Sequence, residues 1–164
     1  MPLRIVLVGL GARGRFWREV IAREPRATAV AFVDPEKAQR DAFEALEPGV
    51  PTFDDLAIAL AAGPVDALVL ATPPHTRAAH LALAFERHLP VLVEKPLSLD
   101  LEEAFHFVHD AERAGVPLMV GLNFRYLDVT KKIRDLLANG ALGDAEFARF
   151  TYERWRDGER PGLN

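Results

Sequence analysis

The segment Gly9-Leu10-Gly11-Ala12-Arg13-Gly14 leaves an apolar run, Arg4–Val8, and opens a helical pattern. A glycine pattern of this kind is weak by itself and gains its meaning from a strand before it and a helix after it. In that setting Gly9 allows the tight turn, Gly11 lets the backbone come close to a pyrophosphate, and Gly14 lets helix and strand pack closely. Free amides at the helix start, with the helix dipole, then favour an anion. The competing reading is that these glycines only shape a turn. Arg13 has two open roles, a phosphate contact or a solvated side chain.

Further along, apolar runs of strand length alternate with helical patterns, which predicts a parallel sheet with crossover helices. Strands are expected at Arg4–Val8, Ala27–Val33, around Pro51–Phe53, Ala67–Ala71, Val91–Val93 and Leu118–Val120. Most are continuously apolar, as strands covered on both faces are. Helices are expected from about Gly14 to Glu24, Glu36 to Leu46, Leu56 to Ala61, Thr76 to Arg87 and Leu101 to Ala114. Asp100 with Glu103 makes an acidic capping pair, Gly115 suits a left-handed helix end, and Pro117 stops continuation. The fold class is therefore α/β, a Rossmann-like doubly wound parallel sheet with helices on both faces.

From Tyr126 a helix is expected to about Ala138, then a turn from Gly140 to Gly143 and a strand in the run from Glu146 to Trp155. Phe147, Arg149, Thr151, Glu153 and Trp155 would share one face of it, and Ala148, Phe150, Tyr152 and Arg154 the other. At 164 residues the chain has room for one well-buried domain and for no complete second one. The expected division is 1–123 for the dinucleotide-binding domain and 124–164 for the beginning of a carboxyl-terminal substrate and oligomerisation domain. An uncovered strand at 144–156 would invite self-association as a homo-oligomer, or disorder after about Gly143.

Charge and composition exclude several partners. The net charge of −4 comes from 24 acidic and 20 basic residues mixed along the chain, so no basic stripe invites nucleic acid. No segment approaches the roughly 20 apolar residues of a membrane helix. With 49% hydrophobic and 27% charged residues and no cysteine, a cytoplasmic globular protein is expected.

Asp34 closes the second strand at the spacing where a carboxylate accepts the adenosine-ribose hydroxyls and repels the 2′-phosphate of NADP. That favours NAD over NADP, and the alternative role for Asp34 is capping the next helix. Ala71-Thr72-Pro73-Pro74-His75 leaves the fourth long strand on the edge where ligands bind such sheets, and its two prolines make a stiff loop suited to a nicotinamide-ribose. Glu94-Lys95-Pro96 ends the next strand on that edge. A lysine there can hydrogen-bond a substrate oxygen and stabilise negative charge developing on it. Alone, Lys95 reads as a surface lysine; the combination points to a site. His106 and His109 stand one helical turn apart, yet without a third ligand they make no metal site, and none is expected. Phe16 and Trp17 read as packing residues.

In order and spacing, GLGARG, Asp34, ATPPH, VLVEKPLS and GLNFRY resemble the Gfo/Idh/MocA family of glucose-fructose oxidoreductases and inositol dehydrogenases, over essentially the whole chain. The resemblance implies an NAD- or NADP-dependent oxidoreductase acting on a sugar, cyclitol or related polyol. It implies cofactor contacts from Gly9, Leu10, Gly11, Ala12, Arg13, Gly14, Asp34, Ala71, Thr72, Pro73, His75 and Asn123. It also implies that Lys95 is catalytic, touching both nicotinamide and substrate, with Glu94 and Pro96 setting its pose across a cis Lys95-Pro96 bond. The chain departs from the family pattern at Arg77, where a His is frequent, at His88, where a Gly usually ends the helix, and at Asp128, where a proline often stands. The family's acid/base pair, an Asp followed four residues on by a His, is expected after Asn164. On this reading the chain holds NAD and needs a further domain for turnover. The alternative function is a non-catalytic dinucleotide sensor or regulatory module.

Overall fold

In the computed structural model, which describes residues 1–151 and 153, the chain divides into two compact units, Met1–Leu122 and Asn123–Asn164. The first unit alternates β1 (Leu3–Val8), α1 (Ala12–Arg23), β2 (Ala27–Val33), α2 (Lys37–Leu46), β3 (Thr52–Phe53), α3 (Leu56–Ala62), β4 (Ala67–Leu70), α4 (Arg77–Glu86), β5 (Val91–Val93), α5 (Leu101–Ala114) and β6 (Leu118–Val120). All pairings are parallel and the strand order is β3-β2-β1-β4-β5-β6. Chain order reverses between β1 and β4, and in such sheets the crevice outside the carboxyl ends of the strands at that switch point is where ligands bind.

Alternate side chains of each strand feed two cores, which is why these strands are apolar throughout. On one face Val6, Val8, Leu68, Leu70, Val91 and Val93 meet Leu56, Leu60, Leu81, Phe85 and Phe107 from α3, α4 and α5. On the other, Ile5, Leu7, Phe32 and Val69 meet Ile21 of α1 and Phe43 of α2. There the rings of Phe32 and Phe43 sit edge to face, 5.0 Å between centroids.

Local chemistry sets the helix ends. The Asp100 carboxylate accepts from the backbone N–H of Glu103 at 2.8 Å, and Gly115 closes α5 with φ 65°. His88, at a position that favours glycine, adopts φ 52° and its ring nitrogen Nδ1 lies 3.0 Å from the Ala114 carbonyl oxygen. The helix expected from Gly14 starts at Ala12, so Gly14 lies inside its first turn; the loop is shorter than the glycine spacing suggested. The helix expected from Thr76 is preceded by a 3-10 turn at Pro74–Thr76, with Pro74 at its first position, where a missing N–H costs nothing.

In the second unit a 3-10 turn at Asn123–Tyr126 leads into α6 (Asp128–Ala138). Asp128 stands in the first turn of α6, where a negative charge is favourable, and accepts from Lys131 Nζ at 3.1 Å. The strand expected after Gly143 is corrected: residues 144–151 and 153 form no helix or strand, and Phe147 and Phe150 are 79% and 81% exposed. A strand needs a ladder partner for its backbone groups, and none is paired with this segment among the described residues. Tyr152, Arg154 and Trp155 lie outside the described residues. Among those described, no helix is long and apolar enough to cross a membrane.

Candidate cofactor site

Three loops meet at the carboxyl ends of β1, β4 and β5. Gly9 turns with φ 89°, and a Cβ there would come within 2.8 Å of the Ala71 carbonyl carbon. A Cβ on Gly14 would lie 2.1 Å from the Gly9 carbonyl oxygen, whereas one on Gly11 would meet nothing within 4 Å. Gly9 and Gly14 thus serve close packing inside the protein, and Gly11 presents bare backbone to open space. Gly11 caps α1 with no side-chain hydrogen bond, which leaves the amides of the first turn for an external acceptor.

Asp34, at the end of β2, is buried and faces the glycine loop. Its Oδ2 accepts from the Leu10 N–H at 2.7 Å and its Oδ1 from the Glu36 N–H at 2.9 Å. Asp34 does not cap α2, whose N-cap is Glu36 with no side-chain hydrogen bond; the carboxylate instead fixes the glycine loop and the turn that leads to α2. Each oxygen keeps acceptor capacity for a ribose hydroxyl. Arg40 Nη1 donates to the carbonyl oxygens of Asp34 at 2.7 Å and Pro35 at 2.8 Å.

Across the crevice, Thr72 is 8% exposed and its buried Oγ1 has no hydrogen-bond partner. A buried hydroxyl without a partner is costly, so this one suits a ligand group. Ala71 is half-buried and Pro73 and His75 are exposed on the same loop. The Lys95-Pro96 bond is cis. Lys95 is exposed and makes no hydrogen bond or ion pair among the described residues.

Glu94, 4% exposed, accepts at Oε1 from Arg13 Nε at 3.0 Å, from Arg13 Nη2 and from Trp17 Nε1 at 3.0 Å. Arg13 ion-pairs with Glu94 and stacks its guanidinium 4.7 Å over the Phe16 ring, with its side chain 47% exposed. Leu10 is buried in the α1 core, and Ala12 opens α1. Asn123 belongs to the second unit. No group of three or more His, Cys, Asp or Glu that would suit a metal occurs among the described residues. A bare amide cradle, an acceptor at the ribose position and an unpartnered hydroxyl together fit a dinucleotide.

The sequence model of the oxidoreductase family with an NAD-binding Rossmann fold matches residues 3–122. The chain belongs to the Gfo/Idh/MocA family. It is 33% identical to the rhizopine catabolism protein MocA of Rhizobium meliloti, over 86% of this chain and 44% of that protein. It is 35% identical to an inositol 2-dehydrogenase of Leifsonia xyli, over 87% of this chain and 43% of that enzyme. The WlbA dehydrogenase of Bordetella pertussis, solved in complex with NADH and UDP-GlcNAcA, superposes with a TM-score of 0.79 at 28% identity, over 87% of this chain and 44% of that one. The chain thus spans less than half the length of these Gfo/Idh/MocA relatives.

Two residues of the site were not assigned to it from sequence. Trp17, expected as packing, is packed against the α1 core but also donates to Glu94. Arg77, noted as a departure from the Gfo/Idh/MocA pattern, is buried between the loops after β4 and β5. The available signal was spacing: Arg77, Leu81 and Ala84 fall on one helix face, and Leu81 and Ala84 are core.

Proposed function

We propose that this chain is the cofactor-binding part of a dehydrogenase or reductase acting on a carbinol or carbonyl carbon of a cyclitol, sugar or related polyol, with NAD preferred to NADP. The observation that carries the proposal is the pair of unpartnered groups at the crevice, the Thr72 hydroxyl and the Lys95 ammonium, on the loops of two adjacent strands. The names of relatives, an inositol 2-dehydrogenase among them, support the substrate class.

Each residue then has a task. The amides around Gly11 hold the pyrophosphate, and Asp34 accepts the adenosine-ribose hydroxyls. A 2′-phosphate would meet the Asp34 carboxylate, and Arg40 is already engaged by two carbonyls rather than turned to such a phosphate. The nicotinamide supplies the hydride acceptor or donor when bound. Lys95 donates a hydrogen bond to the substrate oxygen and stabilises the negative charge that grows there. Glu94, clamped by Arg13 and Trp17, holds the backbone from which Lys95 projects.

Titration of this chain with NADH and NADPH, followed by the emission of the reduced nicotinamide itself, tests the cofactor assignment. Tighter NADPH binding would overturn the preference. Turnover of a panel of inositols and sugars by the protein at its natural length tests the rest; tight NAD binding with no NADH formed on any of them would replace the enzyme by a dinucleotide sensor. The proposal extends to a cytoplasmic setting and to pairing of two copies through the exposed segment with Phe147 and Phe150. Sedimentation of a strict monomer would remove that last part.

A further inference from the structure

Arg77 heads the largest fully buried side chains, 1% exposed, although it opens α4 beside the crevice. Its Nη2 donates to the Thr72 carbonyl at 2.8 Å, and its Nη1 donates to the carbonyl of Pro96 and to that of Leu97 at 3.2 Å. Thr72 follows β4; Pro96 and Leu97 follow β5 and the cis bond. The guanidinium has no carboxylate bonded to it, and its Nε has no partner. Burial lowers its pKa, and the charge of Glu94 acts the other way. Buried charge is a weak route to stability, because well-packed apolar side chains of similar volume serve as well or better. What an apolar residue cannot do is bind three carbonyls from two loops in one plane, which is what a guanidinium fork does.

We propose that Arg77 is a positioning residue: it pins the Thr72 loop to the Lys95-Pro96 turn and so fixes the distance between the Thr72 hydroxyl and the Lys95 ammonium across the nicotinamide end of the crevice. This rests on the cofactor assignment given above. Arg77 is set to act through backbone alone: through the Thr72 carbonyl on one loop, and through the carbonyls of Pro96 and Leu97, the two residues that follow Lys95, on the other. The adenosine end, built from the glycine loop and Asp34 on β1 and β2, lies outside its three bonds.

The test compares NAD with ADP, which has the adenosine and pyrophosphate but no nicotinamide. In Arg77→Met, NAD affinity is expected to fall about tenfold, the scale of losing hydrogen bonds to a charged group, while ADP affinity stays within about twofold. Arg77→Lys, which can reach one carbonyl, is expected to fall between; it carries the test if the Met variant does not fold. An unchanged ratio of NAD to ADP affinity, whether both are retained or both are lost together, would overturn the proposal, since a merely structural role weakens the two alike. A second readout needs no cofactor: the Lys95 signal in a ¹³C-methylated sample, assigned with Lys95→Arg, is expected to move in either Arg77 variant. If the unsubstituted chain binds NAD no better than ADP, the cofactor assignment fails instead, and the Lys95 signal alone decides on Arg77: a shift retains it and no shift removes it.

Discussion

A methyl group added at Gly14 would stand 2.1 Å from the Gly9 oxygen, while one added at Gly11 would meet no atom within 4 Å. The two glycines of one motif therefore predict opposite phenotypes. Gly14→Ala forces backbone apart and is expected to lower the unfolding free energy by about 3 kcal/mol or more in urea melts. Gly11→Ala is expected to change it by less than about 0.5 kcal/mol, yet to weaken NAD binding at least about tenfold, because the methyl occupies the space a pyrophosphate needs. The close packing at Gly14 was legible from sequence because a strand and a helix flank the motif. Asp34 read from sequence as a ribose acceptor or a cap of the next helix; its bond to the Leu10 N–H was not legible, since it depends on a tertiary approach between the ends of β1 and β2. Asp34→Asn keeps one acceptor oxygen and removes the charge. It is expected to cost about 1 kcal/mol of stability and to bring NADPH affinity toward that of NADH, measured by paired titrations. A preference for NADH unchanged by that substitution would separate Asp34 from cofactor choice.

Among elements, the apolar strands, the Asp100 cap and the Gly115 stop were readable because each depends on residues close in sequence. Arg77 was not, because its partners lie on other loops and a single arginine in a helical pattern reads as solvated. The final strand misled for the reverse reason: alternation describes what a segment would bury, and pairing needs a neighbour that the described residues do not supply. One tie between elements has a pH signature. Arg4, at the start of β1, donates to Asp66 before β4 from its backbone N–H at 2.8 Å and its side-chain Nε at 2.9 Å, and holds that carboxyl well below its ordinary 3.8. A depressed folded-state pKa gives stability that is present above the ordinary value and lost as pH falls below it. Glu24, lowered to about 2 from 4.5 by Arg26, acts in the same acid window. Asp66→Asn is therefore expected to flatten part, and not all, of the loss of thermal stability between about pH 4.5 and pH 2. An acid limb identical to that of the unsubstituted chain would show that the pair persists in the unfolded state or contributes nothing.

At the scale of the first unit, the strand order β3-β2-β1-β4-β5-β6 sets that unit's candidate ligand groups at one end of one sheet. Gly11, Asp34, Thr72 and Lys95 are far apart in sequence and each follows a different strand, so a dinucleotide laid along that end would tie four crossovers together. Binding to the folded state alone then stabilises the whole sheet by mass action. With free NAD at about a hundred times its dissociation constant the gain is about 2.7 kcal/mol, or a rise of about 10 °C in Tm for a unit of this size. Gly11→Ala at the same NAD concentration is expected to keep at most about half of that rise, because it keeps the sheet and a tenfold weaker site retains only about 1.4 kcal/mol of ligand stabilisation. Differential scanning fluorimetry at matched concentrations checks both. A full NAD-dependent rise in Gly11→Ala would mean that the pyrophosphate does not approach Gly11, and with that the cofactor would have to lie elsewhere than at the switch point between β1 and β4.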